Sequence, residues 1–372
     1  MGWLKTRTLV SSSLIGSVTL GILGFGQAVY PQENPKTAWE QTLQAAKKEG
    51  EVVVYISNYE PATESFRKAH PEIKLVVVQD RGTQLMSRIL AERRARKFVP
   101  DVVSAGALNY NVLYKANTLD PIKPTLLLPE NQDQSKWWGG EHIYVDPKAS
   151  YVFAYVGYPS TPFYYNTNLV NPNEMKSHWA LLDPKWKGKM ISFDPRMPVV
   201  AGALQFLYHS PELGPEFMRK FFGDTNMTYS RNFRQMTDWL ATGKFAICFA
   251  CRGAPRAKAQ GLPVDNFDSV SWKEGAYLTI GGGSLSLLEG APHLNAARVF
   301  INWFLSREGQ MAVQNLGRPA DPPNSLRTDI PKDVILPEHR RIPGKKYFVV
   351  HRPEFADVAP IFKLTKQIVG NQ

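Results

Sequence analysis

Polar side chains and arginines follow four predicted strands, at positions where they could bind an anion. The loops concerned contain Ser57, Asn58 and Tyr59; Arg81, Gly82 and Thr83; Arg196; and Arg252. A helix N-terminus offers unpaired N–H groups and partial positive charge, and a nearby arginine adds two parallel donors that fit a carboxylate or phosphate. We expect the polar groups to donate hydrogen bonds and the arginines to neutralise the ligand, although any single arginine is more simply explained as a solvated surface group.

Aromatic residues near these loops have two interpretations. Tyr59 or Tyr164 could stack on a planar ligand, and a place in the core or in the wall of a cleft explains each equally well. Trp137 and Trp138 are expected to pack rather than to bind.

Cys248 and Cys251 are the only cysteines and leave three interpretations open. In an oxidising compartment they could form a disulfide. A redox-active pair normally opens a helix, where the dipole lowers the thiol pKa, but here a predicted strand precedes the pair. The sequence favours two unbonded thiols, and a cysteine-dependent enzyme stays as an alternative function.

Several motifs of known chemistry are absent from the sequence. It has no Walker A loop and no H-E-x-x-H among its seven histidines. Residues 281–286, GGGSLS, lack the spacing of a nucleophile elbow, and their glycines are expected to allow close backbone packing at a hinge. A net charge of +11 without a nucleic-acid-binding motif favours anionic ligands. We therefore expect no enzymatic activity, no cofactor and no nucleic-acid partner.

Alternating apolar strands and amphipathic helices predict an α/β fold with doubly wound, mostly parallel sheets. The predicted strands are 51–57, 73–78, 101–106, 189–194 and 244–249. The predicted helices are 36–48, 83–97, 109–115, 213–222, 233–242 and 295–305, with others starting near 61 and 200.

Two extended passages, 151–166 and 275–288, separate two strand–helix blocks. They predict two lobes joined by two crossovers, with a ligand cleft at the carboxyl ends of the strands. The expected boundaries are 36–155 with 279–318 for lobe 1, 156–278 for lobe 2, and 319–372 for an irregular tail.

The N-terminal segment has the features of an export signal. Lys5 and Arg7 precede the uncharged residues 8–25, and Gly26-Gln27-Ala28 resembles a cleavage site. We expect residues 1–28 to be a cleaved signal peptide that sends the protein to the periplasm, with a retained membrane anchor as the alternative.

The chain of 372 residues is 43% hydrophobic, which is enough for two globular lobes.

Six phrases resemble the periplasmic substrate-binding proteins of ABC importers, in the group that includes ferric-iron-binding and small-anion-binding proteins. They are EVVVYISN, GTQLMSRILAERRARKFVPDVV, PFYYNTNLV, DPRMPVVAGA, GKFAICFACRG and GAPHLNAARVFINWFLSREGQ. The resemblance covers roughly residues 36–318 and implies a two-lobed type II binding-protein fold.

The resemblance does not extend to the iron ligands of the ferric proteins. Their histidine position falls near Asn58 or Tyr59, their glutamate position near Ala105 or Gly106, and their tyrosine pair within 251–254, where no tyrosine stands. Tyr164 and Tyr165 are adjacent in a predicted strand, so their side chains should point to opposite faces. We expect no metal site, and Ala105 is expected to line the ligand site instead.

Together these observations predict a soluble periplasmic receptor, monomeric, that holds a small anionic organic ligand between its lobes. The resemblance implies that it delivers this ligand to a membrane permease with its ATPase. A ferric-iron receptor with an unusual ligand set is the first alternative.

Overall fold

Two sets of apolar strands form two separate main sheets in this protein. The computed structural model describes residues 35–316, 323–335, 337–345 and 347–370, and the predicted signal peptide lies outside them. The strands are β1 (Glu51–Ile56), β2 (Lys74–Gln79), β3 (Val102–Ser104), β4 (Leu119–Asp120), β5 (Phe153–Ala154), β6 (Tyr158–Ser160), β7 (Phe163–Asn166), β8 (Met190–Phe193), β9 (Thr228–Ser230), β10 (Ile247–Phe249), β11 (Val264–Asn266), β12 (Tyr277–Thr279), β13 (Ser284–Leu288) and β14 (Phe348–Val349).

Helices flank these strands. They are α1 (Pro35–Glu49), α2 (Glu64–Ala69), α3 (Gly82–Arg94), α4 (Pro129–Gln132), α5 (Ala201–His209), α6 (Gly214–Arg219), α7 (Phe233–Ala241), α8 (Ala254–Ala259), α9 (Leu294–Leu305), α10 (Arg307–Gln314) and α11 (Ala359–Val369). A π-helical turn, Asn109–Tyr114, replaces the helix predicted at 109–115.

Each main sheet contains one strand that runs against the others. In the lobe 1 sheet, ordered β2-β1-β3-β13-β4 with β5 beside β13, that strand is β13. In the lobe 2 sheet, ordered β11-β7-β10-β8-β9, it is β7. Each of these strands forms the end of an extended passage that joins the lobes. The expected α/β architecture of mostly parallel sheets flanked by helices is therefore present.

Two hydrophobic cores lie against the two sheets. The first contains buried residues from 46–156 and 278–326, and the second contains buried residues from 163–277 and 350–369. In the first core, α9 packs on α1 and on β1 through apolar residues at helical spacing, among them Phe300 and Phe304, which are both fully buried.

A third, small sheet connects the lobes. It has the order β14-β12-β6, in which β6 and β12 belong to the two crossover passages and β14 comes from the tail. The sequence predicted an irregular tail. The structure differs, because the tail also contains the eleven-residue helix α11. The apolar side chains Ile361, Leu364 and Val369 recur along one face of that helix and are buried in the second core.

Within the described residues, no helix has both the length and the apolar character needed to cross a lipid bilayer.

Candidate functional site

The loop after β1 packs tightly against neighbouring backbone. The N–H and Oγ of Ser57 donate to the carbonyl of Ser104 at 2.9 and 3.3 Å. The Asn58 amide donates to Ser57 Oγ at 3.4 Å. Tyr59 has a left-handed backbone (φ 64°) and is fully buried, with its ring 6.2 Å from that of Tyr155. Of its two predicted roles, the structure therefore favours the core position for Tyr59.

The loop before α3 brings predicted residues of lobe 1 together. A Cβ placed on Gly82 would lie 3.8 Å from the Cβ atoms of both Ser57 and Ala105. Arg81 and Thr83, on either side of this glycine, are exposed at the start of α3. The five residues thus form one edge, on which Arg81 is the only charged member of the five.

The glycine run 281–283 lies against this same edge. A Cβ on Gly106 would be 2.3 Å from the carbonyl oxygen of Gly281, and one on Gly282 would be 2.0 Å from the amide of Asn58. At Gly106 the neighbouring atoms are backbone and only a hydrogen atom fits, so the expected close backbone packing of the run is confirmed there.

Arg196 in lobe 2 is already neutralised by a carboxylate. It donates to both oxygens of Asp194 at 2.8 and 3.0 Å, and Arg231 donates to the same group at 2.9 Å. Burial would raise the pKa of Asp194, but the hydrogen bonds from Arg196 and Arg231 outweigh it and hold the pKa below its usual range. Arg196 also donates to the carbonyl of Gly370 at 3.3 Å, beyond the end of α11.

A shallow pocket of about 320 Å³ lies at this triad of charges. Its lining residues are Asp194, Arg196, Met227, Tyr229, Ser230 and Arg231. Sequence reasoning identified Arg196 but missed Asp194 and Arg231. The signal for Asp194 was present, since an aspartate two residues before an arginine at a strand end is placed to pair with it.

Arg252 differs from Arg196 because no carboxylate pairs with it in the described residues. Its side chain is exposed, donates to the carbonyl of Val199 at 3.0 Å, and lies 5.5 Å from the centre of the Phe233 ring. A guanidinium held by one carbonyl and one ring face keeps donors for a ligand.

The positive charge of Arg252 acts on two tyrosines, Tyr164 and Tyr277. Burial raises the pKa of Tyr164 and of Tyr277, and the positive charge of Arg252 counteracts that rise in both. Ser160 donates to the phenol oxygen of Tyr277 at 3.0 Å. Of this group, the sequence identified Tyr164 and Arg252, whereas Tyr277 and Ser160 became neighbours only through the pairing of β6 with β12.

Cys248 and Cys251 are joined by a disulfide, with their Cα atoms 5.9 Å apart. The preference for unbonded thiols was therefore wrong. Both residues are buried in the second core. Because both sulfur atoms are bonded, neither can serve as the nucleophile of the cysteine-dependent enzyme considered above.

The described residues contain no group of three or more His, Cys, Asp or Glu side chains that could hold a metal ion.

The adjacent tyrosines Tyr164 and Tyr165 separate as expected. Tyr165 stacks on Phe267 in the core, with ring centres 4.5 Å apart, whereas Tyr164 lies on the side of Arg252.

A sequence profile of the family described as bacterial extracellular solute-binding proteins matches residues 40–311. No curated protein matches the chain. The structure is similar to that of FutA (IdiA) from Trichodesmium in complex with iron and citrate, with a TM-score of 0.63 and 19% identity over 87% of this chain and 100% of that one.

Two further solved structures share the fold. Iron-bound HitA from Pseudomonas aeruginosa has a TM-score of 0.52 and 17% identity, over 86% of this chain and 99% of that one. The periplasmic binding protein AfuA from Actinobacillus pleuropneumoniae, with fructose-6-phosphate bound, has a TM-score of 0.53 and 18% identity, over 87% and 99%. At such identities the likeness concerns the fold alone.

The profile spans both lobes, and the neighbours are binding proteins with the same two-lobed type II architecture. This chain therefore belongs to the family of bacterial extracellular solute-binding proteins that serve ABC importers.

Proposed function

We propose that this protein is a periplasmic receptor that binds a small anionic organic ligand between its lobes. A monomer, released by cleavage after residue 28, would deliver the ligand to the permease and ATPase of an ABC importer. The observation that carries the proposal is Arg252, an exposed guanidinium that no carboxylate neutralises in the described residues and that rests on the carbonyl of Val199 and the ring of Phe233.

The chemistry of this group favours an oxyanion. A carboxylate or phosphate accepts hydrogen bonds from a guanidinium and from phenol hydroxyls, and charge-assisted bonds of this kind are the stronger ones. The flat rings of Tyr164 and Phe233 add apolar surface for the carbon skeleton of an organic ligand.

Lobe 1 would contribute neutral donors from its own edge. The hydroxyls of Ser57 and Thr83 and the start of α3 lie at the carboxyl ends of its parallel strands, which is the usual ligand edge of an open α/β sheet. A ligand that touches both edges stabilises the closed arrangement of the lobes by its extra contacts there.

Thermal unfolding with added inorganic phosphate, citrate and fructose 6-phosphate tests the proposal. At a concentration about 100-fold above Kd, a bound ligand adds about 2.7 kcal/mol and should raise Tm by roughly 5 °C. Arg252→Ala, which weakens binding about tenfold, should leave about 1.4 kcal/mol of stabilisation and so roughly halve the shift. Arg234→Ala, which removes the same charge from a side chain that is 93% exposed, is the matched control and should keep it.

Stabilisation by cations but by none of the three anions would contradict the proposal. A coloured complex with ferric citrate that a chelator bleaches would instead support the iron alternative, although the described residues contain no cluster of three or more His, Cys, Asp or Glu side chains for it.

A further inference from the structure

The turn after β10 has an unusual backbone and a covalent closure. Ala250 adopts a left-handed conformation, with φ 60°. Its N–H donates to the carbonyl of Pro162 at 2.7 Å. The disulfide joins Cys248, inside β10, to Cys251, on the far side of Ala250. A residue with a Cβ disfavours the left-handed region, so the surrounding structure must hold Ala250 there.

Arg252 follows this closed turn directly. The residues on either side of it, Cys251 and Gly253, are both held in place. Cys251 is bonded and fully buried. Gly253 lies so close to α7 that a Cβ there would be 2.4 Å from Thr237 Oγ1. The backbone of Arg252 is therefore fixed on both sides, and its direction depends on the turn at Ala250.

We propose that the Cys248–Cys251 disulfide is a positioning element of the anion site, which holds the turn at Ala250 so that Arg252 stays against the carbonyl of Val199 and the ring of Phe233. The inference rests on the proposed function, since Arg252 is the side chain offered to the ligand. Without the bond, Ala250 relaxes toward an ordinary backbone conformation and Arg252 leaves its contacts with Val199 and Phe233.

A purely stabilising role fits the disulfide less well. A disulfide stabilises a fold by restricting the unfolded chain, and the effect grows with the length of the closed loop. Cys248 and Cys251 are only three positions apart, so the unfolded chain loses little freedom. The main effect of so short a bridge falls on the local geometry that it encloses.

A double-mutant cycle tests this assignment. Binding of phosphate, citrate and fructose 6-phosphate is measured by calorimetry for the wild type, Arg252→Ala, the pair Cys248→Ala with Cys251→Ala, and the triple variant. Arg252→Ala should weaken binding at least tenfold in the wild type and less than twofold in the background without the disulfide, because the two changes remove the same interaction. Additive losses would overturn the proposal.

A second measurement needs no ligand. Amide hydrogen exchange of residues 250–254 should be at least tenfold faster without the disulfide, whereas β8 should keep its protection. Unchanged exchange at the turn would overturn the positioning role. If the wild type binds none of the three anions, the proposed function fails, and the exchange result still decides whether the bridge holds the turn.

Two further variants guard against misfolding. If the alanine pair does not fold, Cys248→Ser with Cys251→Ser takes its place in both measurements. Ile247→Val, in the same strand and the same core, is the matched control. It leaves the bridge intact and should keep both the affinity and the slow exchange of the turn.

Discussion

The two sheet edges that face the proposed ligand are built in opposite ways. The lobe 1 edge consists of small residues such as Gly82, Ala105 and Gly106, packed against the glycines of the second crossover. The lobe 2 edge carries charges, with Arg196 and Arg231 both paired to Asp194 and Arg252 unpaired among the described residues. Lobe 1 therefore offers backbone and hydroxyl groups together with the exposed Arg81, whereas lobe 2 supplies three arginines.

This difference follows from what each edge must pack against. The crossover backbone approaches lobe 1 so closely that side chains are excluded there. At lobe 2 the loops after β8, β9 and β10 stay open enough to hold long, hydrated side chains, of which Arg231 is 63% exposed. An added Cβ at the first edge should therefore reduce stability. At the second edge, loss of the buried Asp194 carboxylate should reduce stability, whereas loss of the unpaired Arg252 should weaken binding.

The largest effect is expected at Gly106. Its φ of 61° disfavours a Cβ, and that Cβ would meet the backbone carbonyl of Gly281 at 2.3 Å. Gly106→Ala should cost about 3 kcal/mol of unfolding free energy, measured by urea denaturation. Gly50→Ala, with φ 73° but open space around it, is the matched control and should cost only about 1 kcal/mol. Equal costs would contradict the steric argument.

The next largest effect is expected in the pH dependence of the free energy of unfolding, through a carboxyl group of lobe 2. Burial would raise the pKa of Glu274, but hydrogen bonds from His178 and Ser177 outweigh it and lower the pKa to about 2. A carboxyl with a depressed folded pKa stabilises the fold above its ordinary pKa of 4.5 and loses that effect as pH falls toward 2. Burial also lowers the pKa of His178 in the folded state below its ordinary value of 6.5. As pH falls below 6.5, the unfolded chain therefore binds a proton at this histidine before the folded chain does.

The unfolding free energy of the wild type should therefore fall by about 2 kcal/mol more than that of Glu274→Gln between pH 5 and pH 2.5. The counterpart in lobe 1 behaves oppositely, because burial raises the pKa of Asp101, which makes no such acid-labile contribution. Denaturation curves with the same pH slope for both proteins would rule out the role of Glu274.

A smaller loss is expected at Asp194, whose side chain is only 3% exposed. Asp194→Asn leaves Arg196 and Arg231 without a counter-charge and should cost about 2 kcal/mol in urea denaturation. Asp80→Asn at the exposed lobe 1 edge removes a carboxylate that accepts only from Arg81 N–H, and should cost about 0.5 kcal/mol or less. Equal costs at the two edges would remove the distinction between them.

The smallest effect is on ligand binding, and it separates Arg196 from Arg252 in lobe 2. Arg252→Ala should weaken binding of the best of the three anions about tenfold or more, whereas Arg196→Ala should change it by less than about threefold, because Asp194 already neutralises Arg196. Calorimetric titration measures both. A larger loss at Arg196 would move the binding site to the pocket beside Asp194.

Local patterns predicted most of the elements that build these edges. The apolar run of β1, the helical spacing in α9 and the start of α3 were all evident along the chain. The tail was misjudged because its prolines and basic residues drew attention away from the apolar spacing of 361–369. The disulfide was misjudged because spacing alone does not show whether two thiols meet.

Sequence alone thus determined the two α/β lobes, since hydrophobic periodicity is a local property that each segment carries in its own residues. Only the tertiary structure decided which arginine keeps donors free for a ligand and which tyrosine lies in the core. It also decided that Tyr277 belongs to the same group of residues as Tyr164. Those outcomes depend on contacts between residues far apart in the chain, such as the pairing of β6 with β12, and no local pattern specifies them.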